Sequence, residues 1–492
     1  MTYVKKNFFL IFFLIYFCIG SFYSLNTGLS FDEVHEQNNW EYNLALAKSI
    51  LFKTQLDPTF YNYGDKYFGI GFQIISQPIQ LLLSNIILNF QEIDSEGAHL
   101  LAKHFVIFLS FCVSGFFVYL ILLKINNNKL FCGTSTAIYL LYPYLLGHSL
   151  FNPKDIPFLC FWIICTYVSI NIFNNLSKYE NFNYKEILLI SFLTAFLLSI
   201  RISGILIFIQ YFFTLIIFLH SSKINFVYFI KINYKKIILF SFSIILFTYF
   251  LYPVFWKNPL LFFEAISYMG NYFNNVCTLT LGECMYSTNL KATYIPIWFM
   301  VKLPFLILLG LILFPLTEKN IFKKKENIIF IGTLLLSSFF IPLILILKKA
   351  NLYDELRHIL FLFPMIFILG VVSLYNFSRK IFYTLSIFTI SIFLIENVKI
   401  YPYQYAWFNT PSRILNLSKN FELDYWGISG KELAREISSL KNKIEKKPCV
   451  LTTWSTRHFL DKDFFSCFDT WSAIDSDIDR PFWAIQNVRN LK

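Results

Sequence analysis

The stretch NFFLIFFLIYFCIGSFYSL (residues 7–25) is followed within a few positions by LSFDEVHEQNN (29–39), so a long apolar run ends where charged side chains begin. The run approaches the roughly 20 residues that a helix needs to cross a bilayer. It exceeds the core of a signal peptide and lacks a small-residue cleavage pattern, which favours a retained first membrane span. This places Asp32 and Glu33 at the water line.

The rest of the chain has the composition of a membrane protein. Of its 492 residues, 56% are hydrophobic and only 15% are charged, against about 25% in soluble proteins. Apolar runs predict eleven spans, at 7–25, 104–123, 130–147, 156–173, 186–200, 203–219, 237–255, 297–316, 328–347, 358–375 and 381–396. The fold class is therefore an all-α polytopic membrane protein.

The net charge of +12 sets orientation in the membrane and does not indicate nucleic-acid binding. With the N-terminus in the cytoplasm, the inner segments hold sixteen Lys and Arg residues: Lys5, Lys6, Lys124, Lys129, Lys178, Lys185, Lys223, Lys231, Lys235, Lys236, Lys319, Lys323, Lys324, Lys325, Arg379 and Lys380. The short outer breaks hold five: Lys154, Arg201, Lys348, Lys349 and Arg357. This asymmetry satisfies the positive-inside rule and puts the C-terminus outside.

Three longer segments then lie on the outer face: 26–102, 256–296 and a tail from 397 onward. The run 67–90 is long enough to span but carries several Gln residues, and counting it would place the Lys-rich loops outside. It is therefore assigned to the interface as an amphipathic helix or hairpin. The tail, 397–492, is expected to form a small α/β domain beyond the spanning domain, 1–396. Disulfides are suggested for Cys277 with Cys284 and for Cys449 with Cys467, the two pairs outside apolar runs.

Reactive side chains gather in the breaks assigned to the outer side. Two acidic positions on separate loops can supply a base for an attacking hydroxyl and can hold a divalent cation. Cations at the same depth can bind a phosphate or pyrophosphate leaving group. The candidates are Asp32, Glu33, Lys66, Asp155, Arg201, Arg357 and His358.

Structural roles compete with each of these assignments. A single Lys or Arg at a helix end commonly extends toward the lipid head groups. Asp155 precedes an apolar helix and is a favoured capping residue there. Capping accounts for one carboxylate of the pair Asp32 and Glu33 but not for both.

The ordered series of motifs resembles the multi-span GT-C glycosyltransferases that use polyprenyl-phosphate sugars, such as the protein O-mannosyltransferases and the aminoarabinose transferase of lipid A. The resemblance covers nearly the whole chain and rests on FDE (31–33), YGDKYFGIGFQ (63–73), FNPKDIPF (151–158), RISG (201–204), YPVFWKNP (252–259), NLKATYIPIWFMVKLP (289–304), YDELRHILFLFP (353–364), YPYQYAWFN (401–409) and DYWGISGKEL (424–433). One departure is Tyr401, where the family pattern has His.

The resemblance implies a role for each candidate. Asp32 matches the catalytic base, with Glu33 beside it, and Asp155 matches a second acidic position. Lys66 resembles a Lys that contacts the donor phosphate, although the Pro pair that often follows it is missing.

Arg201 and Arg357, with His358, are similarly expected at the phosphate. A divalent metal at Asp32 and Asp155 is allowed, and no His or Cys cluster indicates one. The expected partners are a polyprenyl-phosphate sugar donor and an acceptor hydroxyl on a lipid, glycan or protein.

The expected reaction is a single displacement with inversion at the outer face of a bacterial cytoplasmic membrane. Two other classes stay open: a transporter or lipid flippase, and an envelope assembly protein anchored by its spans. The absence of a sequence repeat and the gathering of charges at one surface disfavour transport. Eleven spans exceed what an anchor needs.

Overall fold

Helices dominate the structure, a computed structural model that describes residues 2–56, 64–179, 182–270, 275–323, 325–439, 449–451, 453–460 and 482–484. In chain order the α-helices are α1 Thr2–Leu25, α2 Phe31–Phe52, α3 Gly71–Phe90, α4 Ser95–Ile125, α5 Lys129–Leu141, α6 Pro143–Ser149, α7 Asp155–Tyr179, α8 Tyr184–Ile200, α9 Ile207–Ser222, α10 Phe226–Leu251, α11 Leu261–Gly270, α12 Tyr294–Lys302, α13 Phe305–Ile312, α14 Phe314–Ile321, α15 Lys325–Leu347, α16 Phe363–Phe377, α17 Arg379–Lys399, α18 Leu417–Asn420, α19 Gly430–Ser439 and α20 Trp454–Arg457. The strands are β1 Cys277–Thr280, β2 Glu283–Tyr286, β3 Cys449–Leu451 and β4 Phe482–Ala484.

Eight helical segments of the described chain are long and apolar enough to cross a bilayer, and two bent helix pairs raise the number to ten. The eight are α3, α4, α7, α9, α10, α15, α16 and α17, where α9 and α16 include the short 3-10 turns that precede them. The bent pairs are α5 with α6, at 61°, and α12 with α13, at 118°. The multi-pass helical character is therefore confirmed.

The predicted number of eleven spans is not confirmed. Apart from α3, every one of these segments coincides with a predicted span. The two remaining predictions fall on α8, which has 17 residues, and on α1, whose apolar part within the described side chains is Ile11–Leu25. Helix α8 is at the short end of the length of a span, whereas α1 extends over 24 residues in all.

Helix α3 carries the run that the sequence assigns to the interface. Two of its glutamines face the protein: Gln80 Nε2 donates to the backbone oxygen of His99 at 2.9 Å, and Gln73 Nε2 donates to Gln37 Oε1 at 3.2 Å. Its other face is aliphatic and exposed, with Leu82 72% accessible. The helix is thus amphipathic, and because it also has the length of a span, its place at the interface stays a prediction.

Helix α16 forms the centre of the assembly. In the span that contains α16, 94% of an apolar stretch of 18 residues is buried, against 67% of such a stretch in α7 and 17% in α17. Helix α13 approaches it closely, since a Cβ on Gly310 would lie 2.0 Å from the backbone oxygen of Gly370. Small residues permit such close crossings of membrane helices. The turn Arg357–Leu362, directly before α16, is therefore fixed at one end of the central helix.

A disulfide-linked hairpin forms within the predicted loop 256–296. Strands β1 and β2 pair antiparallel, and the turn residues Leu281 and Gly282 have φ of 51° and 78°, as a two-residue type I′ turn requires. A disulfide joins Cys277 and Cys284, as the sequence suggests. The other suggested pair includes Cys467, which lies outside the described residues.

The first part of the predicted tail domain, 397–492, packs directly onto the helices. Tyr405 and Trp426 are almost inaccessible and belong to the main hydrophobic core. The backbone nitrogen of Phe31 donates to the oxygen of Trp426 at 3.2 Å, and Gly427, with φ of 72°, lies against the Phe31 ring. This part of the tail therefore covers the start of α2. Further along, β3 and β4 pair in parallel.

Candidate functional site

The first turn of α2 places its two carboxylates in different surroundings. Glu33 is fully buried, and its Oε1 accepts hydrogen bonds from Ser30 N at 2.6 Å and from Ser30 Oγ at 2.9 Å, which closes a capping box. Its other oxygen lies 2.8 Å from Nε2 of the buried His104 on α4. The capping role is therefore filled by Glu33, and this carboxylate fastens α2 to α4 beside Asp32.

The start of α7 is capped by Asn152 and not by Asp155. Asn152 Oδ1 accepts from the backbone nitrogens of Lys154 at 3.2 Å and Asp155 at 2.9 Å. The Asp155 carboxylate is fully buried, accepts a bond from Asn152 Nδ2 at 3.0 Å, and forms an ion pair with Arg201. Arg201 has extended backbone at the break that follows α8. The structure thus joins two of the predicted site residues across two helix ends.

Arg357 connects the predicted carboxylates to each other. Its Nη2 lies 2.5 Å from Asp32 Oδ2, its Nη1 lies 2.9 Å from Asp354 Oδ2, and its Nε lies 3.6 Å from Asp155 Oδ2. The Arg357 guanidinium also lies over the Trp426 ring, 4.3 Å from the centroid. One buried cation therefore binds carboxylates from α2, from α7 and from the loop before α16, under an aromatic cover from the tail.

A second ion pair extends this arrangement along α2. Glu36, one helical turn after Asp32, accepts from Lys154 Nζ at 2.5 Å. The same ammonium lies 3.9 Å from the centre of the Phe68 ring. Together these groups form what we call the ion-pair cluster: Asp32, Glu36, Lys154, Asp155, Arg201, Asp354 and Arg357.

The cluster holds Asp32 as an anion. Burial acts to raise the pKa of Asp32, but the charges of Arg357 and Lys154 and the hydrogen bond from Arg357 outweigh burial, so its pKa falls below the ordinary value. Burial, with repulsion from Arg357, lowers the pKa of Arg201 to about 10, which leaves Arg201 charged at neutral pH. Asp32 is 30% exposed, whereas Arg357 is 8% exposed. Of the two residues in this ion pair, Asp32 is therefore the one that a ligand reaches more easily.

Lys66 lies on a loop of its own that reaches the cluster through a neighbouring residue. It is half-buried on the turn Gly64–Tyr67, with its ammonium 5.2 Å from the centre of the Tyr67 ring. Two residues later, Phe68 contacts Lys154 of the cluster. The structure thus brings the Lys66 loop to the site, while a contact of Lys66 with phosphate stays a prediction.

His358 is predicted at the donor phosphate, whereas the predicted metal ligands are Asp32 and Asp155. The His358 ring packs on Tyr353 with the centroids 4.6 Å apart, and its buried Nδ1 has no hydrogen-bond partner among the described residues. No group of three or more His, Cys, Asp or Glu in that part of the chain is placed to hold a metal ion. Asp32 and Asp155 are instead bound by arginines, so a metal ion stays a prediction.

A second buried ion pair lies directly behind the cluster. Glu355 follows Asp354, and both residues have positive φ, 63° and 56°, a conformation that costs energy for non-glycine residues and concentrates at functional sites. Glu355 Oε1 lies 2.8 Å from Lys302 Nζ, and both side chains are fully buried. Burial raises the pKa of Glu355 to about 7. This carboxyl therefore exchanges its proton near neutral pH.

Sequence reasoning did not select Glu36, Asp354 or Trp426 for the site. Glu36 is four residues from Asp32 on one helix, so helical spacing was an available signal for it. Asp354 lies in the loop three residues before Arg357, where only its closeness in sequence was a signal. Trp426 has no such signal, because only the fold of the tail brings it over Arg357.

The comparisons with known proteins assign no family. No protein-family model matches the chain, and no curated protein is significantly similar to it. The chemistry of the cluster, with a partly exposed carboxylate beside two buried arginines, is therefore the basis for the function.

Proposed function

We propose that the protein is a membrane glycosyltransferase that moves a sugar from a polyprenyl-phosphate donor to a lipid, glycan or protein hydroxyl. One observation carries the proposal: Asp32, Asp155, Arg201 and Arg357, which the sequence selects from four distant segments, meet in one ion-pair cluster. A base and a phosphate-binding pair of arginines are the parts that such a transfer needs.

The two arginines would bind the donor phosphate. A guanidinium binds phosphate and carboxylate oxygens with the same two-pronged geometry. A phosphate entering beside Asp32 therefore competes for Arg357, which at rest lies 2.5 Å from that carboxylate. In this reading the carboxylates of the cluster occupy the positions that donor oxygens take in the complex.

Asp32 would then act as the base. It accepts the proton of the acceptor hydroxyl while the hydroxyl oxygen attacks the anomeric carbon, and the bond from that carbon to the phosphate oxygen breaks. The configuration at the anomeric carbon inverts because one displacement occurs. The phosphate leaves with the negative charge that Arg201 and Arg357 stabilise, so the acid that a glycoside hydrolase needs for its leaving group is not required.

The direction of the helices supports a site on one side of the membrane. Helix α1 ends before Asp32, α7 begins at Asp155, α8 ends before Arg201 and the span of α16 begins at Arg357. With a cytoplasmic N-terminus, all four ends lie outside, and the Cys277–Cys284 disulfide fits that oxidising side of a bacterial inner membrane. We further propose the GT-C fold with eleven spans, α3 at the interface, and a small periplasmic α/β unit at the C-terminus.

A transfer assay tests the proposal. Purified protein in lipid is given a panel of radiolabelled polyprenyl-phosphate sugars and a membrane extract as acceptor. The native protein is expected to transfer label and Asp32→Asn to transfer none. Asp94→Asn is the matched control, because Asp94 caps α4 and pairs with His458 outside the cluster. Normal transfer by Asp32→Asn would remove Asp32 from the role of base.

Transport of an envelope glycan precursor is a second candidate. Its specific support is the 118° break between α12 and α13 together with the buried Lys302–Glu355 pair beside that break. Broken helices and charges at membrane depth are typical of transporters. Flux of a labelled lipid-linked sugar across vesicles, unaffected by Asp32→Asn and without any transfer product, would favour this candidate.

A further inference from the structure

A groove of about 300 Å³ lies outside the cluster, between α1, the bend from α5 to α6, and the end of α17. Its floor and walls are largely apolar, with Leu146 and Leu150 on one side and Leu394 and Val398 on the other. The proposed transfer reaction makes no use of it.

The groove has the dimensions of one leaflet of a bilayer. Its lining on α1 runs from Phe12 to Tyr23, and eleven residues of helix rise about 16 Å, roughly half of a 30 Å hydrocarbon layer. Ile15, Ile19 and Val398 on its rim are 55%, 52% and 77% exposed. The groove therefore opens sideways to lipid, with its Tyr23 end on the side of the cluster.

Two residues that line the groove, Asn397 and Gln404, carry carboxamide side chains. Asn397 donates through Nδ2 to Leu141 O at 2.8 Å, and Gln404 donates through Nε2 to Asn397 O at 3.0 Å. Asn397 Oδ1 and Gln404 Oε1 are buried and have no hydrogen-bond partner among the described residues. Gln404 is 3% exposed. Because a buried acceptor without a donor is costly, these oxygens indicate a ligand that carries N–H or O–H groups.

Two aromatic rings also line the groove. Tyr23 and Tyr401 line it with their ring centroids 4.7 Å apart. Faces of aromatic rings attract cations, and the two carboxamide oxygens are uncharged acceptors. This combination selects a protonated amine over an anionic or a purely apolar group.

We propose that the groove binds one hydrocarbon chain of a bilayer lipid whose head group carries a primary ammonium, with that ammonium donating to Asn397 and Gln404. The ammonium supplies the missing N–H donors, and the chain fills the apolar length of α1. This site is independent of the proposed transferase activity, since its occupant is recognised by the groove alone.

The test measures which lipids stay with the protein. Protein in mild detergent is incubated with vesicles containing equal amounts of phosphatidylethanolamine, phosphatidylglycerol and phosphatidylcholine, is repurified, and its lipids are quantified by mass spectrometry. Native protein is expected to retain the ethanolamine lipid in excess. Gln404→Leu is expected to reduce that excess about tenfold, the effect of losing one hydrogen bond to a charged group.

Two aromatic substitutions separate chain binding from folding. Ile19→Trp narrows the groove from an exposed rim position and is expected to lower retention of every lipid. Ile387→Trp is the matched control, since Ile387 is 67% exposed on α17 but does not line the groove. Equal retention of the three head groups would overturn the ammonium assignment. If Ile19→Trp has the unfolding temperature of the native protein and retains the same amount of lipid, the groove is not the binding site.

Discussion

Replacing Arg357 by Gln is expected to destabilise the protein by about 3–5 kcal/mol, the cost of removing one partner from a buried ion pair. The guanidinium contacts Asp32 at 2.5 Å, Asp354 at 2.9 Å and Asp155 at 3.6 Å, and it is 8% exposed. Asp354 and Asp155 are almost fully buried, at 5% and 0% exposure, so water cannot replace the lost cation. Arg201 still pairs with Asp155, which limits the loss to the other two contacts.

A double-mutant cycle isolates the contact that matters for the mechanism. Arg357→Gln, Asp32→Asn and the double variant are unfolded by heat in the same detergent, with the transition followed by tryptophan fluorescence. The coupling between the two residues is expected at about 1.5–3 kcal/mol, the value of a hydrogen bond to a charged group. Lys291→Gln serves as the control, because the Lys291–Glu283 pair is 60% exposed on both sides and is worth about 0–1 kcal/mol.

Two results would refute this reasoning. If Arg357→Gln lowers the unfolding free energy by less than about 1 kcal/mol, the ion pairs of Arg357 are no stronger than exposed pairs, which contradicts a buried cluster. Additive effects of Arg357→Gln and Asp32→Asn would show that the two residues do not interact, and Asp32 would then lose its proposed link to the phosphate site.

Three further predictions follow from other parts of the molecule. Glu33→Gln is expected to cost about 1–3 kcal/mol in the unfolding free energy while transfer continues, whereas Asp32→Asn abolishes transfer, and parallel unfolding and transfer assays check this. Since the folded pKa of Glu355 is raised to about 7, the folded state binds its proton more tightly than the unfolded state does, so the unfolding free energy falls as pH rises from about 4.5 to 7. Relative to Glu355→Gln, native protein should lose up to about 1.4 kcal/mol of unfolding free energy per pH unit, as measured by thermal unfolding. A flat difference would contradict a buried carboxyl. Cys277 and Cys284 should react with an impermeant maleimide in right-side-out vesicles only after reduction, and labelling in inverted vesicles alone would reverse the topology.

The helical part of the fold could be predicted from the sequence because the lipid bilayer places the same local requirement on every span. A spanning helix must satisfy its own backbone and be apolar for about 20 residues, so each span is visible without its neighbours. Bends are harder to predict, because Leu303 and Pro304 break α12 from α13 within one predicted span, 297–316. The predicted boundary at 397 likewise reflects composition, whereas Tyr405 and Trp426 pack into the helical core.

The candidate site was readable only in part. The loops that carry Asp32, Asp155, Arg201 and Arg357 were selected as reactive, and the structure brings these four together. The different roles of the two neighbouring acids on α2 could not be predicted from the sequence. Both Asp32 and Glu33 are acids in one helical turn, and only the position of His104, seventy-one residues later, directs Glu33 into a structural role.

The resting contact between Asp32 and Arg357 links base strength to donor binding. At rest the neighbouring cations lower the pKa of Asp32, which makes it a weak base, and the contact loses its stabilising effect only as pH falls through that lowered pKa. A donor phosphate that binds Arg357 weakens the stabilisation that this cation gives to the Asp32 carboxylate. The pKa of Asp32 then rises toward its ordinary value, and Asp32 becomes a stronger base. On the proposed mechanism, therefore, the base is strengthened only when a lipid phosphate occupies the arginines, and proton removal is confined to the complex that holds a sugar to transfer.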